Sequence, residues 1–248
     1  MNTLVVLPSY NESANIVEMI AAVLAVGPSL SVCVVDDSSP DGTSAVVEAA
    51  IDSRPGWTER VKLITRSKKD GRGGAVREGF AWGQKSAKSF GCYVEMDCDF
   101  SHEPSAIPEG LALREAGADV VIGARYPNGT IVGWPRSRRV FSFLANTLAR
   151  TLIDWSISDY TNGFRFYSPR AVEILLHKPQ RHRGYIYLSE SLSYLLRAGM
   201  RVERFPIYFK NRERGVSNTS LREVRAALSG IVSIAWQHHR GADASEVR

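Results

Sequence analysis

In this 248-residue chain, the residues whose types and spacing suit chemistry fall in three acidic clusters within the first hundred positions, each after a short apolar run. Pro8-Ser9-Tyr10-Asn11-Glu12 follows the run 4–7, Asp36-Asp37-Ser38-Ser39-Pro40-Asp41-Gly42 follows 32–35, and Asp97-Cys98-Asp99 follows 93–96. Asp97 and Asp99 are two apart at a strand end, so strand alternation would turn both to one side. Two carboxylates held that way suit a hard divalent cation, which takes one or two protein oxygens and completes its shell with phosphate and water. An Asp-x-Asp triplet alone is common, and acids after strands often only cap helices. Its weight here comes from the company of Asp36 and Asp37. Asp41 with Gly42 reads as a turn and helix cap. His102, in Phe100-Ser101-His102-Glu103-Pro104, reads as a third ligand, a base or an ordinary helix-entry residue. Gly71-Arg72-Gly73-Gly74 lacks the GxGxxG and Walker spacings and reads as a connection into a helix, with Arg72 able to touch an anion.

The elements that must position these residues alternate. Runs 4–7, 32–35, 61–64, 93–96 and 120–122 have the length and β-branched content of buried parallel strands, and 14–26, 43–53, 73–89 and 104–116 are long enough for crossover helices. Such an order predicts an α/β fold: an open, mostly parallel sheet with helices on both faces, binding its ligand beyond the carboxyl ends of the strands. After residue 125 come a basic loop (126–139), a helix (140–153), a strand (163–167), a helix (185–198), a strand (202–209) and a last helix (221–237). No linker or repeat interrupts them, so one domain over 1–240 is expected, with halves 1–124 and 125–240 and a polar tail 241–248.

Charge divides the chain. Its 31 Lys+Arg and 26 Asp+Glu leave +5 overall, but residues 1–120 sum to −6 and 121–248 to +11. A basic second half invites an anionic partner. Nucleic acid is disfavoured, because the acidic strand ends would repel its backbone and no recognised nucleic-acid motif is present. No apolar run approaches the ~20 residues of a membrane span, and the N-terminus leads straight into a strand-like run, so a cytosolic protein is expected. The three cysteines, Cys33, Cys92 and Cys98, sit in apolar stretches without CxxC spacing and read as core thiols. His238 and His239 suit a helix C-terminus.

The clusters, taken together with Gly123-Ala124-Arg125-Tyr126, resemble in order and spacing the family 2 glycosyltransferases, the dolichol-phosphate and polyprenol-phosphate mannosyltransferases in particular. Asp159-Tyr160-Thr161-Asn162-Gly163-Phe164-Arg165-Phe166-Tyr167 and Arg212-Glu213-Arg214-Gly215-Val216-Ser217 extend the resemblance over residues 3–220. It implies a GT-A fold, a nucleotide-sugar donor, Mg2+ or Mn2+, and inversion at the anomeric carbon. By the same resemblance Pro8, Tyr10, Glu12, Val35 and Asp37 hold the nucleoside, and Asp97, Cys98 and Asp99 hold metal and diphosphate. Arg125 and Arg212 serve the phosphate region, and Arg138 and Ser142 flank the acceptor phosphate. Asn218 departs from the family, which commonly places Lys after the serine matched by Ser217.

The expected reaction moves a hexose, mannose from GDP-mannose, onto a polyprenyl (dolichyl-type) phosphate, with Asp99 and Arg125 at the reacting centre. The alternative within the family is another nucleotide sugar or a hydroxyl acceptor. A phosphate acceptor is already an anionic nucleophile, whereas a hydroxyl needs a base, for which Asp99, Glu103 and His102 are the local candidates. Arg125, Arg136, Arg138 and Arg139 would offset the repulsion between a phosphate and the acidic edge. In the last helix Leu221, Val224, Leu228, Ile231, Val232 and Ala235 recur at helical spacing beside Arg222, Arg225 and Trp236, a pattern that fits either a core-facing or an interfacial helix. Val140, Phe141, Leu144 and Leu148 pose the same choice. These features predict peripheral association with an anionic membrane surface on its cytoplasmic face, with room for a membrane-anchoring partner protein.

Overall fold

The computed structural model describes residues 1–182, 184–211 and 221–243, the side chains of 221–227 and 241–243 excepted. Arg212, Ser217 and Asn218 lie outside the described residues, as do the side chains of Leu221, Arg222, Val224 and Arg225 and residues 244–248 of the tail.

The first half alternates as its apolar runs require: β1 (Thr3–Ser9), α1 (Ile16–Val26), β2 (Leu30–Asp36), α2 (Thr43–Ser53), β3 (Val61–Thr65), α3 (Arg72–Lys85), β4 (Cys92–Glu95), α4 (Ile107–Glu115) and β5 (Val120–Ala124). The second half adds β6 (Thr130–Val132), α5 (Arg136–Leu152), β7 (Arg165–Tyr167), α6 (Pro169–His177), α7 (Tyr187–Arg197), β8 (Val202–Pro206), β9 (Tyr208–Lys210) and α8 (Leu221–Asp243). The main sheet has the order β3-β2-β1-β4-β7-β5-β8, and β6 pairs with β9 in a second small sheet. Every pairing in the main sheet is parallel except those of β7, which runs antiparallel to both β4 and β5.

Period-two alternation splits the core between the two faces. Leu4 and Val6 point to one, where Val76 and Phe80 of α3 and Leu188 and Leu192 of α7 cover them. Val5 and Leu7 point to the other, under Ile16, Met19, Ile20 and Val23 of α1. Helix α3 lies unusually close to the sheet: a Cβ at Gly79 would stand 2.6 Å from Val6, and one at Gly83 2.5 Å from Leu4. Glycine weakens a helix interior, and here it permits that approach. The three cysteines are free and buried, as core thiols should be, and burial pushes Cys33 up to about 12.

Boundaries differ from the sequence expectation where proline intervenes. The loop 126–139 ends early, because Pro135 stands at the N-cap of α5 and the helix begins at Arg136, not Val140. The run 202–209 breaks at Pro206, which has no N–H for a ladder, and the chain crosses to pair β9 with β6. Helix α6 was not expected, although Ser168 caps it through Ala171 N–H and Pro169 opens it.

Candidate active site

The acidic clusters meet where β1, β2 and β4 end, in loops held by their own polar side chains. Among the described residues, the non-glycine residues with left-handed φ are Asn11, Ser38 and Phe100, one after each of those three strands. Such backbone costs on the order of 1–3 kcal/mol per residue and persists where the surroundings enforce it. Enforcement is visible: Asn11 N–H donates to Ser39 Oγ at 2.9 Å, Glu12 N–H to Thr43 Oγ1 at 3.1 Å and Ser13 N–H to Asp41 Oδ2 at 3.1 Å. Asp41 also accepts from Thr43 N–H, the turn and cap role expected of it.

The converging carboxylates do different work. Asp36 accepts from Ser44 Oγ at 2.8 Å, Ser9 Oγ at 3.3 Å and the Ser39 backbone, and so closes the loop after β2. Asp37, also buried, pairs with Arg66 and accepts the N–H groups of Asp70 (3.0 Å) and Gly71 (2.7 Å). Both therefore hold the loops at this edge of the sheet. Of the nucleoside set, Tyr10 is exposed with Lys69 Nζ 3.3 Å above its ring, Glu12 accepts from Asn15 Nδ2 at 2.9 Å, and Pro8 takes the Cys98 thiol on its carbonyl at 3.4 Å. Val35 is wholly buried in β2.

Asp97 and Asp99 lie beyond β4, which ends at Glu95, so strand alternation does not orient them. A bend closed by Phe100 does, with Cys98 tucked back under β1. The Asp97 side chain is 21% exposed and Asp99 8%. Asp97 Oδ1 accepts from Arg72 Nε at 2.9 Å, and Asp99 Oδ1 from Ser101 N–H at 3.0 Å. His102 is buried with both ring nitrogens engaged. Its Nδ1 accepts the Asp97 N–H at 3.2 Å, its Nε2 bonds Asn162 Oδ1 at 2.9 Å, and its ring stacks on Phe164. Asn162 donates its own amide to Gly123 O, which leaves Oδ1 as acceptor and Nε2 as donor. Burial pushes the His102 pKa down against the pull of Asp97, consistent with that neutral tautomer.

The residues present fit a divalent cation. The pair offers only hard oxygen donors, and among the described residues no group of three His, Cys, Asp or Glu gathers to hold a metal alone. The remainder of the coordination shell would be diphosphate and water, as suits Mg2+ or Mn2+.

Arg125 is buried and bidentate to Asp159, with Nε and Nη2 each 2.8 Å from it, and Nη2 also reaches Thr161 Oγ1 at 2.7 Å. Trp134 lies under both Arg125 (5.4 Å) and Arg138 (4.2 Å), whose Nη1 donates to Asn211 Oδ1 at 3.2 Å. The Ser142 hydroxyl is buried and has no hydrogen-bond partner among the described residues. Beside Arg125 opens a cavity of about 440 Å³, lined by Arg125 and Tyr126 and by Arg139, Val140, Phe143 and Leu144 of α5, with Arg138 and Ser142 outside its lining. Charge thus lines one part of the cavity and hydrocarbon another. Glu95, Arg66 and Trp134 were not expected at the site, and Asp159 was read only as part of the motif 159–167; the three charged groups are held by partners distant along the chain that local spacing does not reveal.

The sequence profile of the family described as Glycosyl transferase family 2 matches residues 4–176. The chain is a family 2 glycosyltransferase. This glycosyltransferase is 37% identical over 227 residues to the polyprenol monophosphomannose synthase of Mycolicibacterium smegmatis, over 91% of this chain and 84% of that one. It is 34% identical over 222 residues to the undecaprenyl-phosphate mannosyltransferase of Micrococcus luteus, over 89% and 88%. In fold it matches GT-A glycosyltransferase structures. The glucosyl-3-phosphoglycerate synthase of Mycobacterium tuberculosis, in complex with Mn2+, UDP and glucosyl-3-phosphoglycerate, aligns with a TM-score of 0.65 at 19% identity, over 96% of this chain and 79% of that one. The same enzyme with Mg2+ and UDP aligns at 0.66 and 19%, over 94% and 79%.

Proposed function

We propose that this family 2 glycosyltransferase moves mannose from GDP-mannose to a polyprenyl phosphate at a membrane surface, inverting the anomeric carbon. The observation that carries the acceptor is the cavity beside Arg125, lined in one part by arginines and in another by the apolar face of α5. A prenyl phosphate has that same division between charged head and hydrocarbon tail. The names of the two relatives support the same acceptor class and sugar.

In this reading Pro8, Tyr10, Glu12, Val35 and Asp37 frame the nucleoside, Asp97 and Asp99 hold the cation with the diphosphate, and Cys98 seats the turn between them. A bound Mg2+ or Mn2+ supplies electrostatic stabilisation to the departing diphosphate. Arg125, Arg138 and Ser142 receive the acceptor phosphate, and Arg212 serves the diphosphate. One phosphate oxygen attacks the anomeric carbon as its bond to the diphosphate oxygen breaks on the opposite face. No base is needed, which agrees with the engagement of both His102 nitrogens.

The membrane reading rests on α5 and α8, which pack together. Val140, Phe143 and Leu144 on α5, and Val232 and Trp236 on α8, are each more than half exposed, while Ile231, Ile234 and Ala235 turn inward. Helix α8 is therefore both core-facing and surface-presenting. Among the described residues no helix is long and apolar enough to cross a membrane, so the surface would be met from one side. Arg136 and Arg139 beside the apolar patch suit anionic headgroups, at about 1 kcal/mol each. Incubating the protein and Mn2+ with radiolabelled nucleotide sugars and polyprenyl phosphate tests the proposal. A labelled lipid from GDP-mannose is expected, and no lipid-linked product with any donor sinks it.

A further inference from the structure

Arg72, in the Gly-rich segment 71–74, belongs to neither the nucleoside nor the acceptor set, yet it is among the most heavily bonded side chains near the site. Arg72 opens α3 with its side chain 11% exposed. Its Nε donates to Asp97 Oδ1 at 2.9 Å, Nη1 to Glu95 Oε2 at 2.9 Å and to the Tyr187 hydroxyl, and Nη2 to the Gly163 carbonyl at 3.1 Å. Glu95 is wholly buried and accepts from Tyr167 Oη at 2.6 Å and from Tyr187 Oη. The backbone makes room for the contact: a Cβ at Gly163 would stand 2.5 Å from Arg72 Nη2.

We infer that Arg72 is a positioning residue for the metal-binding carboxylate. Glu95, clamped by two tyrosine hydroxyls, anchors the guanidinium, and the guanidinium fixes Oδ1 of Asp97. Asp97 then meets the cation with one oxygen in a set direction, although it sits on a bend that no strand ladder holds. The planar fork of arginine can hold two carboxylates at once, which the point charge of lysine does less well. Outer groups that orient a metal ligand typically govern 10–100-fold in metal affinity. The inference rests on the reading of Asp97 and Asp99 as metal ligands.

Calorimetric titration of Mn2+ into the full chain, with and without GDP, separates the two. Wild type is expected to bind GDP only with Mn2+. Arg72→Leu is expected to weaken Mn2+ by about tenfold or more, and Arg72→Lys to recover part of the loss. Because Arg72→Leu leaves Glu95 buried without its countercharge, Arg72→Leu/Glu95→Gln keeps the test open. That variant keeps an acceptor for the tyrosines and is expected to hold the wild-type melting temperature while still losing Mn2+ affinity. Wild-type or tighter Mn2+ binding by the folded double variant overturns the role of Arg72. Wild type with no Mn2+-dependent GDP binding overturns the metal reading itself.

Discussion

Arg125 and Asp159 form a buried, two-bonded ion pair, with Nε and Nη2 each 2.8 Å from a carboxylate oxygen. The Arg125 backbone N–H donates to the same carboxylate at 3.0 Å, so Asp159 sets both where the arginine stands and how its fork is turned. Removing one partner strands the other charge without water. Asp159→Ala should therefore lower stability by about 3–5 kcal/mol, read as a shift in the urea midpoint. A cost within the scatter of surface substitutions would show that the pair is not buried in solution.

Acid should weaken this pair in a defined window. Burial alone pushes the Asp159 carboxyl up, but the Arg125 charge and the hydrogen bonds it accepts outweigh burial and hold it below its ordinary value. A depressed carboxyl contributes stability that is whole above the unfolded value of about 3.9 and lost as pH falls through the lower folded value. Between pH 5 and pH 3 the urea midpoint of the wild type should fall more steeply than that of Asp159→Asn. Parallel curves would assign the acid sensitivity elsewhere.

With Asp99 as the proposed cation ligand, Asp99→Ala should abolish transfer, a loss of at least about 10²–10³ in turnover, with Mn2+ affinity falling in parallel. Wild-type turnover in this variant would refute the assignment.

Arg138 touches Trp134 and Asn211 and belongs to the proposed acceptor set. Arg138→Ala should raise the KM for polyprenyl phosphate by about tenfold, the worth of one charge-assisted contact, and leave GDP affinity near wild type. An equal loss of nucleotide affinity would move the residue to the donor site.

Phe143→Asp/Leu144→Asp places two charges on the exposed face of α5. Co-sedimentation with vesicles containing anionic lipid should drop several-fold, while the melting temperature stays close to wild type, because neither side chain is buried. Unchanged sedimentation would mean that this face is not what meets lipid.

Much of the scaffold was legible because buried parallel strands announce themselves. The β-branched runs ending near Leu7, Val35 and Ile64 became β1, β2 and β3. Short strands were less so: Thr130–Val132, half exposed and paired only with β9, fell inside an expected loop, and the strand expected at 163–167 is present as β7 over Arg165–Tyr167. At the site, the acidic clusters were visible but their division of labour was not. Asp36 and Asp97 look alike in sequence, and only Ser44 near one and Arg72 near the other tell a loop organiser from a carboxylate held against α3. Glu95 gave no signal, since its partners Tyr167 and Tyr187 are distant along the chain.

The reversed strand β7 also governs the order in which the enzyme can be completed during translation. Strands β1 to β4 can pair with one another as they leave the ribosome, but β5 borders only β7 and β8, both made later. Non-local pairing of this kind folds slowly and leaves strand edges bare meanwhile. Glu95 likewise waits for its tyrosines. The nascent chain therefore has Arg66 and Arg72 in place beside Asp37 and Asp97 well before it owns the tyrosines that clamp Glu95, and the anchor of Arg72 is complete only once the second half has been threaded into the same sheet.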